Sequence, residues 1–461
     1  MGEAKSYFFC GIGGSGMLPL ALIVQGRGHE VAGSDRTLDQ GRLAAKFEFL
    51  RARGIGLFPQ DGSGIESAGQ IVVTSAAIEE TVPDVVKAKA VGAARIGRPA
   101  LLASLFNEAK TGIAVGGTSG KSTVTGMIGW ILHQAGRDPT VMNGAVMKNF
   151  VSAEVPFASA LVGAGDIFVS EVDESDGSIA LYRPDVAVLN NVSLDHKSLD
   201  ELRHLFGDFA AKAGAVVLNL DDDETRFLAA ALPAERLRTY SFRDRTADLF
   251  GSAVEEAPFA IAFSAGGIRV RLQIPGRHNA ENALAALAAA EAAGVPLAEG
   301  AEALAGFTGL RRRFELVGEA QGVTVIDDFA HNPDKIAATL RTLHAFPGRL
   351  LLFFQPHGYG PLRTMKEELI ATFAAGMEAG DVLIMSDPVY YGGTTSREVG
   401  SADIVAGVAA RGRRAEHLPE RAACADRLVE LAEPGDRIVV MGARDDTLTL
   451  FAEEIVERLA A

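Results

Sequence analysis

Only two cysteines, Cys10 and Cys424, occur in 461 residues. They form no metal-ligand spacing and cannot build a disulfide framework, which is the usage expected in a reducing cytoplasm. No apolar run reaches the roughly 18 residues that a bilayer span needs, so no membrane partner is expected. Long basic blocks are missing too, and the net charge is −15. A nucleic-acid groove needs clustered Lys and Arg, so that class of partner is set aside. The acidity bears on solubility and not on fold. The N-terminus lacks the charged-then-apolar pattern of a signal segment. Met1 to Ser6 does match the M-G-x-x-x-[ST] myristoylation pattern, but what reads as a core strand begins at once with Tyr7. Solenoid-period repeats and low-complexity linkers are absent.

What is present is an alternation. Hydrophobic residues make up 48% of the chain, enough for a core in each of two or three domains. Short apolar runs between glycines suit an α/β fold. "SYFFCGIGGSGMLPLALIVQGRGHEVAGSD" reads as strand, glycine turn, helix and strand, and "QIVVTSAAI" (Gln70 to Ile78) as a further strand. "TGIAVGG" then opens a second region, with "DIFVSEVDES", "DVAVLNNVS" and "AVVLNLDDD" as later strands. Ala247 to Asn279 is expected to form a small β-sheet. A third region begins at "GVTVIDDFAHNP" and carries the buried strands "RLLLFFQP", "DVLIMSDP" and "DRIVVMGA". The expected domains are 1–108, 109–311 and 312–461.

The chemistry gathers at strand ends. "AVGGTSGKSTVTG" (Ala114 to Gly126) follows a strand and opens a helix, as a phosphate loop must. Gly116, Gly117 and Gly120 let backbone N–H groups approach an anion, and the helix start adds partial positive charge. Lys121 can reach β- and γ-phosphates; Ser122 or Thr123 can place a hydroxyl on Mg²⁺. A plain glycine turn is the alternative. "GIGGSGM" fits G-x-G-x-x-G through Gly11, Gly13 and Gly16, with Asp35 where a ribose-binding acid stands. That pattern suits NAD, any other diphosphate, or a turn with no ligand.

"SEVDESDGS" crowds Glu171, Asp173, Glu174 and Asp176 at one strand end, where a Mg²⁺ ion relieves like-charge repulsion. A solvated acidic loop is the other reading. His196 of "NVSLDHKS" is either a metal ligand or a structural histidine. His278, Asn279 and Asn282 stand at a helix start, as caps or as readers of a base edge. Arg311, Arg312 and Arg313 form a basic run; Asp327, Asp328 and His331 follow a strand. His357, Arg363 and Arg397 lie in polar, glycine-rich strand ends.

In this order the motifs resemble the Mur ligase family, the ATP-dependent amino-acid ligases of peptidoglycan synthesis, over essentially the whole chain. "GGTSGKST" is similar to that family's short phosphate loop, G-T-x-G-K-[ST], which lacks the first glycine of G-x-x-x-x-G-K-[ST]. "EVDESDGS", "NVSLDH", "RRRFE", "FQPH" and "REVG" resemble further family segments. The resemblance implies a Rossmann-like UDP-sugar-binding domain, a central phosphate-loop ATPase domain and a C-terminal Rossmann-like domain that binds the amino acid. It implies UDP-N-acetylmuramate and L-alanine as substrates, ATP and Mg²⁺ as cofactors, and a monomer or homodimer. Implied roles are Lys121, Glu171 and His196 in catalysis, with Ser122, Glu171 and His196 on the metal. Gly117, Thr118, Ser119, Gly120, Lys121, Ser122, Thr123, Asn279, Arg313, Asp327 and His331 take the nucleotide. Gly13, Gly14, Ser15, Gly16 and Asp35 take the UDP-sugar, and His357, Arg363 and Arg397 the amino acid.

Departures from the family pattern bear on the acceptor. Ser119 replaces a usual His, "PHGYGPLRT" replaces "PHRYTRT", and "AHNP" replaces "GHHP". A ligase that adds a peptide or another amino acid therefore stands beside the alanine-adding one. An NAD-dependent dehydrogenase, resting on the N-terminal loop, and a regulatory nucleotide-binding protein are rivals of other classes. Lys212 is the nearest candidate for a carbamylated metal-bridging lysine, but it sits later in the chain than such a residue is expected, and no such role is assigned to it.

Overall fold

A computed structural model of the chain describes residues 4–192, 198–389, 397–443, 445 and 447–461. Three sheets organise it, each dominated by parallel strands. In the first, β1 (Ser6–Cys10), β2 (Glu30–Ser34), β3 (Gly56–Phe58), β4 (Gln70–Thr74) and β5 (Ala94–Gly97) lie in the order β3-β2-β1-β4-β5, all parallel. Phe8 and Phe9 point to opposite faces, and both are fully buried, as helices on both sides of a parallel sheet require. The strand expected through Ile78 stops at Thr74, because Ile78 N–H turns back to the Ser75 carbonyl at 3.1 Å.

The second sheet has ten strands. They are β6 (Thr111–Gly116), β7 (Thr140–Met142), β8 (Ala160–Leu161), β9 (Ile167–Glu171), β10 (Val186–Leu189), β11 (Ala215–Asn219), β12 (Leu237–Ser241), β13 (Leu249–Ala257), β14 (Ala260–Ala265) and β15 (Ile268–Leu272). Their order is β15-β14-β13-β12-β11-β10-β6-β9-β7-β8. β6 lies between β10 and β9, where successive strands leave in opposite directions, so the loop after it opens at a topological switch point. The helix Lys121–Gln134 that follows buries Val124, Met127, Ile128, Ile131 and Leu132, an i, i+3, i+4, i+7, i+8 spacing that lines up its large apolar side chains on one face. The small sheet expected near residues 247–279 is the edge of this larger one, with β14 and β15 antiparallel.

The third sheet orders β16 (Glu315–Ala320), β17 (Val323–Asp328), β18 (Leu350–Gln355), β19 (Val382–Met385), β20 (Arg414–His417) and β21 (Arg437–Gly442) as β16-β17-β21-β18-β19-β20. Only β16 is antiparallel. It joins β17 through Gln321 and Gly322, both at positive φ (51° and 75°), which is the two-residue turn that matches strand twist.

Two compact units result. One holds Met1–Glu255, Ile261–Gln273 and His278–Leu310, and so the first two sheets. The other holds Glu256–Ala260, Ile274–Arg277 and Arg311–Ala461, with the third. Within the first unit the sheets share a core. Phe106 meets Phe168 and Tyr182 edge-to-face, at 5.6 and 5.2 Å between centroids. That contact seats the helix Arg98–Asn107 against β9.

Candidate active site

The phosphate loop is built around two backbone conformations that side chains resist. Gly117 has φ +115° and Gly120 φ +86°. A Cβ on Gly120 would stand 2.4 Å from Asn282 Oδ1 and 2.7 Å from Asn190 Nδ2. The residues that follow β10 hold the loop from the neighbouring strand. Thr118 N–H donates to the Asn191 carbonyl at 3.1 Å, and Ser119 N–H to Asn191 Oδ1 at 2.8 Å. Asn191 Nδ2 returns a bond to the Ser119 carbonyl at 3.2 Å. Beneath them lies a buried amide chain. Tyr240 OH donates to Asn190 Oδ1 (3.2 Å), Asn190 Nδ2 to Asn282 Oδ1 (3.1 Å), and Asn282 Nδ2 to Asn279 Oδ1 (3.2 Å). Asn279 and Asn282 thus belong to the support of the loop. The intrahelical ladder begins with Val124 N–H on the Gly120 carbonyl at 3.0 Å, so the preceding first-turn N–H groups face out of the helix end.

Both polar side chains at that helix start are gripped by the acidic segment that begins with the last residue of β9. Lys121 Nζ donates to the Gly117 carbonyl at 2.8 Å and lies 3.0 Å from Glu174 Oε2. Ser122 Oγ donates to Glu171 Oε2 at 2.8 Å, and Asn143 Nδ2 holds the Ser122 carbonyl at 2.9 Å. A Cβ on Gly144 would fall 2.1 Å from Glu171 Oε1, so only glycine leaves this carboxylate its place. Burial pushes the Asp173 carboxyl up, but bonds from Ser175 and the charges of Lys121 and Arg98 outweigh it, and the net shift is downward. The acids are therefore paired with cations and hydroxyls, not crowded in isolation. Thr123 is buried in the first turn. His196 lies outside the described residues, and among those described no group of three or more His, Cys, Asp or Glu is arranged around a metal position. Lys212 Nζ donates to the Ala180 carbonyl at 2.6 Å from the exposed end of its helix.

The first glycine loop follows β1. Gly13 N–H donates to Asp35 Oδ2 and Thr37 N–H to Asp35 Oδ1, each at 2.8 Å. Asp35 is 7% exposed, so it anchors the loop as well as standing at the end of β2. Gly14 and Ser15 are exposed, and Gly16 begins the helix Met17–Gly26. Two cations that sequence reasoning missed reach this loop. Lys46 is buried and donates from Nζ to the Gly13 carbonyl at 3.1 Å. Arg98 lies against Gly16, where an added Cβ would be 3.2 Å from Arg98 Cδ. Neither had a local signal, since each comes from a helix remote in sequence.

In the second unit, strand ends converge on Asp327. It is fully buried, 3.4 Å from Arg312 Nε, and accepts from Thr449 Oγ1 at 3.2 Å. Burial pushes its carboxyl up to about 6, opposed by the Arg312 charge. Arg312 is also buried, donating to the Asp445 and Gly442 carbonyls at 3.0 and 2.9 Å. Arg313 stacks on Phe329 with its guanidinium 4.2 Å from the ring centroid. His331 packs edge-on against His357 at 5.2 Å. Arg397 lies over Tyr359 at 5.7 Å, while Arg363 is exposed on the short helix Tyr359–Thr364. The expected histidines are thus together, and Arg363 is placed on the helix surface.

His331 makes a pH prediction. Its Nδ1 meets the Phe329 carbonyl at 2.8 Å, and an acceptor-only partner assigns Nδ1 the proton. Burial pushes the imidazole from 6.5 down to about 3, with the charge of Lys335 next in weight and His357 and Arg313 adding to it. Between those values the unfolded chain binds the extra proton, so stability falls as pH drops from about 6.5 toward 3. His331→Gln removes this contribution. The melting-temperature advantage of the wild type over that variant should shrink from pH 7.5 to pH 5 in thermal denaturation. A constant advantage would show that His331 is not held neutral.

A lysine-bearing phosphate loop and a second glycine loop, each at a sheet's switch point, define a nucleotide-dependent α/β enzyme. Family models place it more closely: "Mur ligase family, catalytic domain" matches residues 6–110, "Mur ligase middle domain" 115–290, and "Mur ligase, glutamate ligase domain" 312–444. The chain is 37% identical to a UDP-N-acetylmuramate–L-alanine ligase of Mycolicibacterium vanbaalenii, covering 100% of this chain and 97% of that one. It is 36% identical to the ligase of that name in Streptomyces coelicolor, covering 95% of each. The chain belongs to the Mur ligase family, ATP-dependent ligases that form amide bonds. In fold it is like the UDP-N-acetylmuramate–alanine ligase of Thermotoga maritima, with a TM-score of 0.78 at 23% identity over 98% of both chains. The murein peptide ligase of Psychrobacter arcticus gives 0.72 at 24% identity over 99% of both.

Proposed function

We propose that this enzyme joins UDP-N-acetylmuramate to L-alanine at the expense of ATP, in the synthesis of peptidoglycan precursors in the cytoplasm. The observation that carries the reading is full-length similarity to ligases of that name at 36–37% identity. The site chemistry supports it. A carboxylate is a poor acyl donor until its oxygen becomes part of a leaving group. The lactyl carboxylate attacks the γ-phosphorus, the bond to the β-phosphate oxygen breaks, and an acyl phosphate and ADP form. The neutral amine of alanine then adds to the acyl carbon. The tetrahedral intermediate expels inorganic phosphate, and the amine proton is lost.

Each residue has a task in this reading. Lys121 leaves Glu174 for the γ-phosphate and offsets its charge. First-turn N–H groups at Lys121, Ser122 and Thr123, with Gly117 to Gly120, cradle the phosphates. The Ser122 hydroxyl and Glu171 carboxylate, 2.8 Å apart, are hard oxygen donors of the kind Mg²⁺ accepts, and His196 is the third proposed ligand. When bound there, Mg²⁺ supplies positive charge opposite the phosphates. Asn279, Arg313, Asp327 and His331 are assigned to the nucleotide. Gly13 to Gly16 and Asp35 are assigned to the UDP-sugar, and His357, Arg363 and Arg397 to the amino acid. Domains at 1–108, 109–311 and 312–461 would each bring one substrate.

The test is phosphate release from ATP with UDP-N-acetylmuramate and each amino acid in turn, and with the muramyl tripeptide. Release with L-alanine above all others is expected. Release with the tripeptide alone would reassign the enzyme to peptide recycling, and no release with any single amino acid would sink the alanine reading.

A further inference from the structure

Arg98 stands at the first residue of the helix Arg98–Asn107 and faces two charged neighbourhoods at once. On one side it lies along Gly16, the last glycine of the first loop. A Cβ there would be 3.2 Å from Arg98 Cδ and 3.4 Å from Nη1, so the bare glycine lets the guanidinium lie tight against the loop. On the other side Arg98 Nη2 is 3.8 Å from Asp176 Oδ2. That separation exceeds a charge-assisted hydrogen bond, so the pair is electrostatic and leaves the guanidinium's donors available to turn. Asp176 is fixed for this task, because its other oxygen accepts Ser178 N–H at 2.8 Å. The same turn carries Glu174, the partner of Lys121. One acidic turn therefore holds the lysine of the second glycine loop and faces the arginine that lies against the first.

We infer that Arg98 is a substrate-binding residue: its guanidinium holds the diphosphate of a nucleoside-diphosphate sugar against the exposed end of the first loop, and Asp176 keeps it aimed there. A planar fork of donors matches phosphate oxygens, and with the Met17 and Leu18 N–H groups already bonded to the Gly14 carbonyl it is the guanidinium that supplies them. Asp176 then orients the arginine as a positioning residue and links that substrate to the turn beside Lys121. The inference rests on the reading of the first loop as a UDP-sugar site.

Titration calorimetry with UDP-N-acetylmuramate, and separately with ATP, tests it on the full chain. Arg98→Ala should weaken UDP-N-acetylmuramate binding by about tenfold or more, the size expected for a lost charge-assisted contact, and leave ATP affinity within about threefold. Arg98→Lys should recover part of the loss, since charge returns without the fork. Asp176→Asn should weaken the UDP-sugar less than Arg98→Ala does. If the wild type binds no UDP-sugar, the reading of the first loop fails. If the wild type binds it and Arg98→Ala binds equally well, only the role of Arg98 fails. A parallel loss of both ligands in Arg98→Ala, unrelieved by Arg98→Lys, means that the residue holds the fold and overturns the inference.

Discussion

Lys121→Ala is expected to lower ATP turnover by about a thousandfold or more, with UDP-sugar affinity unchanged. The lysine is the first side chain of the helix Lys121–Gln134, and the loop aims its ammonium at the Gly117 carbonyl, 2.8 Å away. Phosphoryl transfer asks little covalent chemistry of a protein and much charge neutralisation, so loss of the cation proposed to meet the γ-phosphate should fall almost wholly on the transition state. A thousandfold is about 4 kcal/mol at 1.36 kcal/mol per decade. Alanine also leaves the Glu174 carboxylate, 8% exposed, without its ammonium. Lys121 is itself 20% exposed, so water reaches the pair and the fold should lose only about 1–2 kcal/mol. Glu174→Gln separates the two effects, since it frees Lys121 without removing it and should retain most turnover. Phosphate release measured beside circular dichroism decides the matter. A folded Lys121→Ala enzyme with wild-type kcat would remove the lysine from the chemistry and leave it a structural partner of Glu174.

The chain announces some of this site and conceals the rest, for reasons of sequence separation. The step from β6 through the glycines to the helix is local, so spacing reveals it: an apolar run, Gly117, Gly120, then Lys121. The acids of Glu171 to Asp176 are likewise contiguous, and their place at a strand end follows from the apolar run before them. What spacing cannot carry is the grip of Asn191 on Ser119 across 72 residues, or of Asn282 on Asn190 across 92. In sequence Asn191 is a strand-end residue and Asn282 a helix cap or a reader of a base edge, because the amide that matters points at a loop from another part of the chain. Lys46 and Arg98 were missed for the same reason. The third sheet's β16 was missed because its alternation is weak, although Gln321–Gly322 carried the turn. The edge strands β13 to β15 were legible as strands, but their continuity with the ten-stranded sheet depends on β12 alongside them.

Gly120→Ala should cost both stability and nucleotide binding, and Gly136→Ala only stability. Both glycines are left-handed, at φ +86° and +68°, so alanine at either pays the steric cost of that conformation, about 1–2 kcal/mol. At Gly136 nothing lies within 4 Å of the new methyl group, and the cost ends there. At Gly120 the methyl meets Asn282 Oδ1 at 2.4 Å and Asn190 Nδ2 at 2.7 Å, the two ends of one buried hydrogen bond. Neither amide can step aside alone. Asn190 also accepts from Tyr240 OH, and Asn282 donates to Asn279, so any displacement breaks a chain of buried bonds or shifts the loop. The total loss is then about 2–4 kcal/mol, in the range for overpacking at a strained position. Because Lys121 and Ser122 start the helix immediately after Gly120, a shifted loop also displaces the first-turn N–H groups from the place proposed for the phosphates. ATP affinity should fall at least about tenfold in Gly120→Ala and stay at wild type in Gly136→Ala. Thermal denaturation and ATP titration of the two variants separate backbone strain, which they share, from collision with the amides, which only one suffers. Equal ATP affinity in both would mean that the loop absorbs the methyl group, and that the asparagine chain does not set its position.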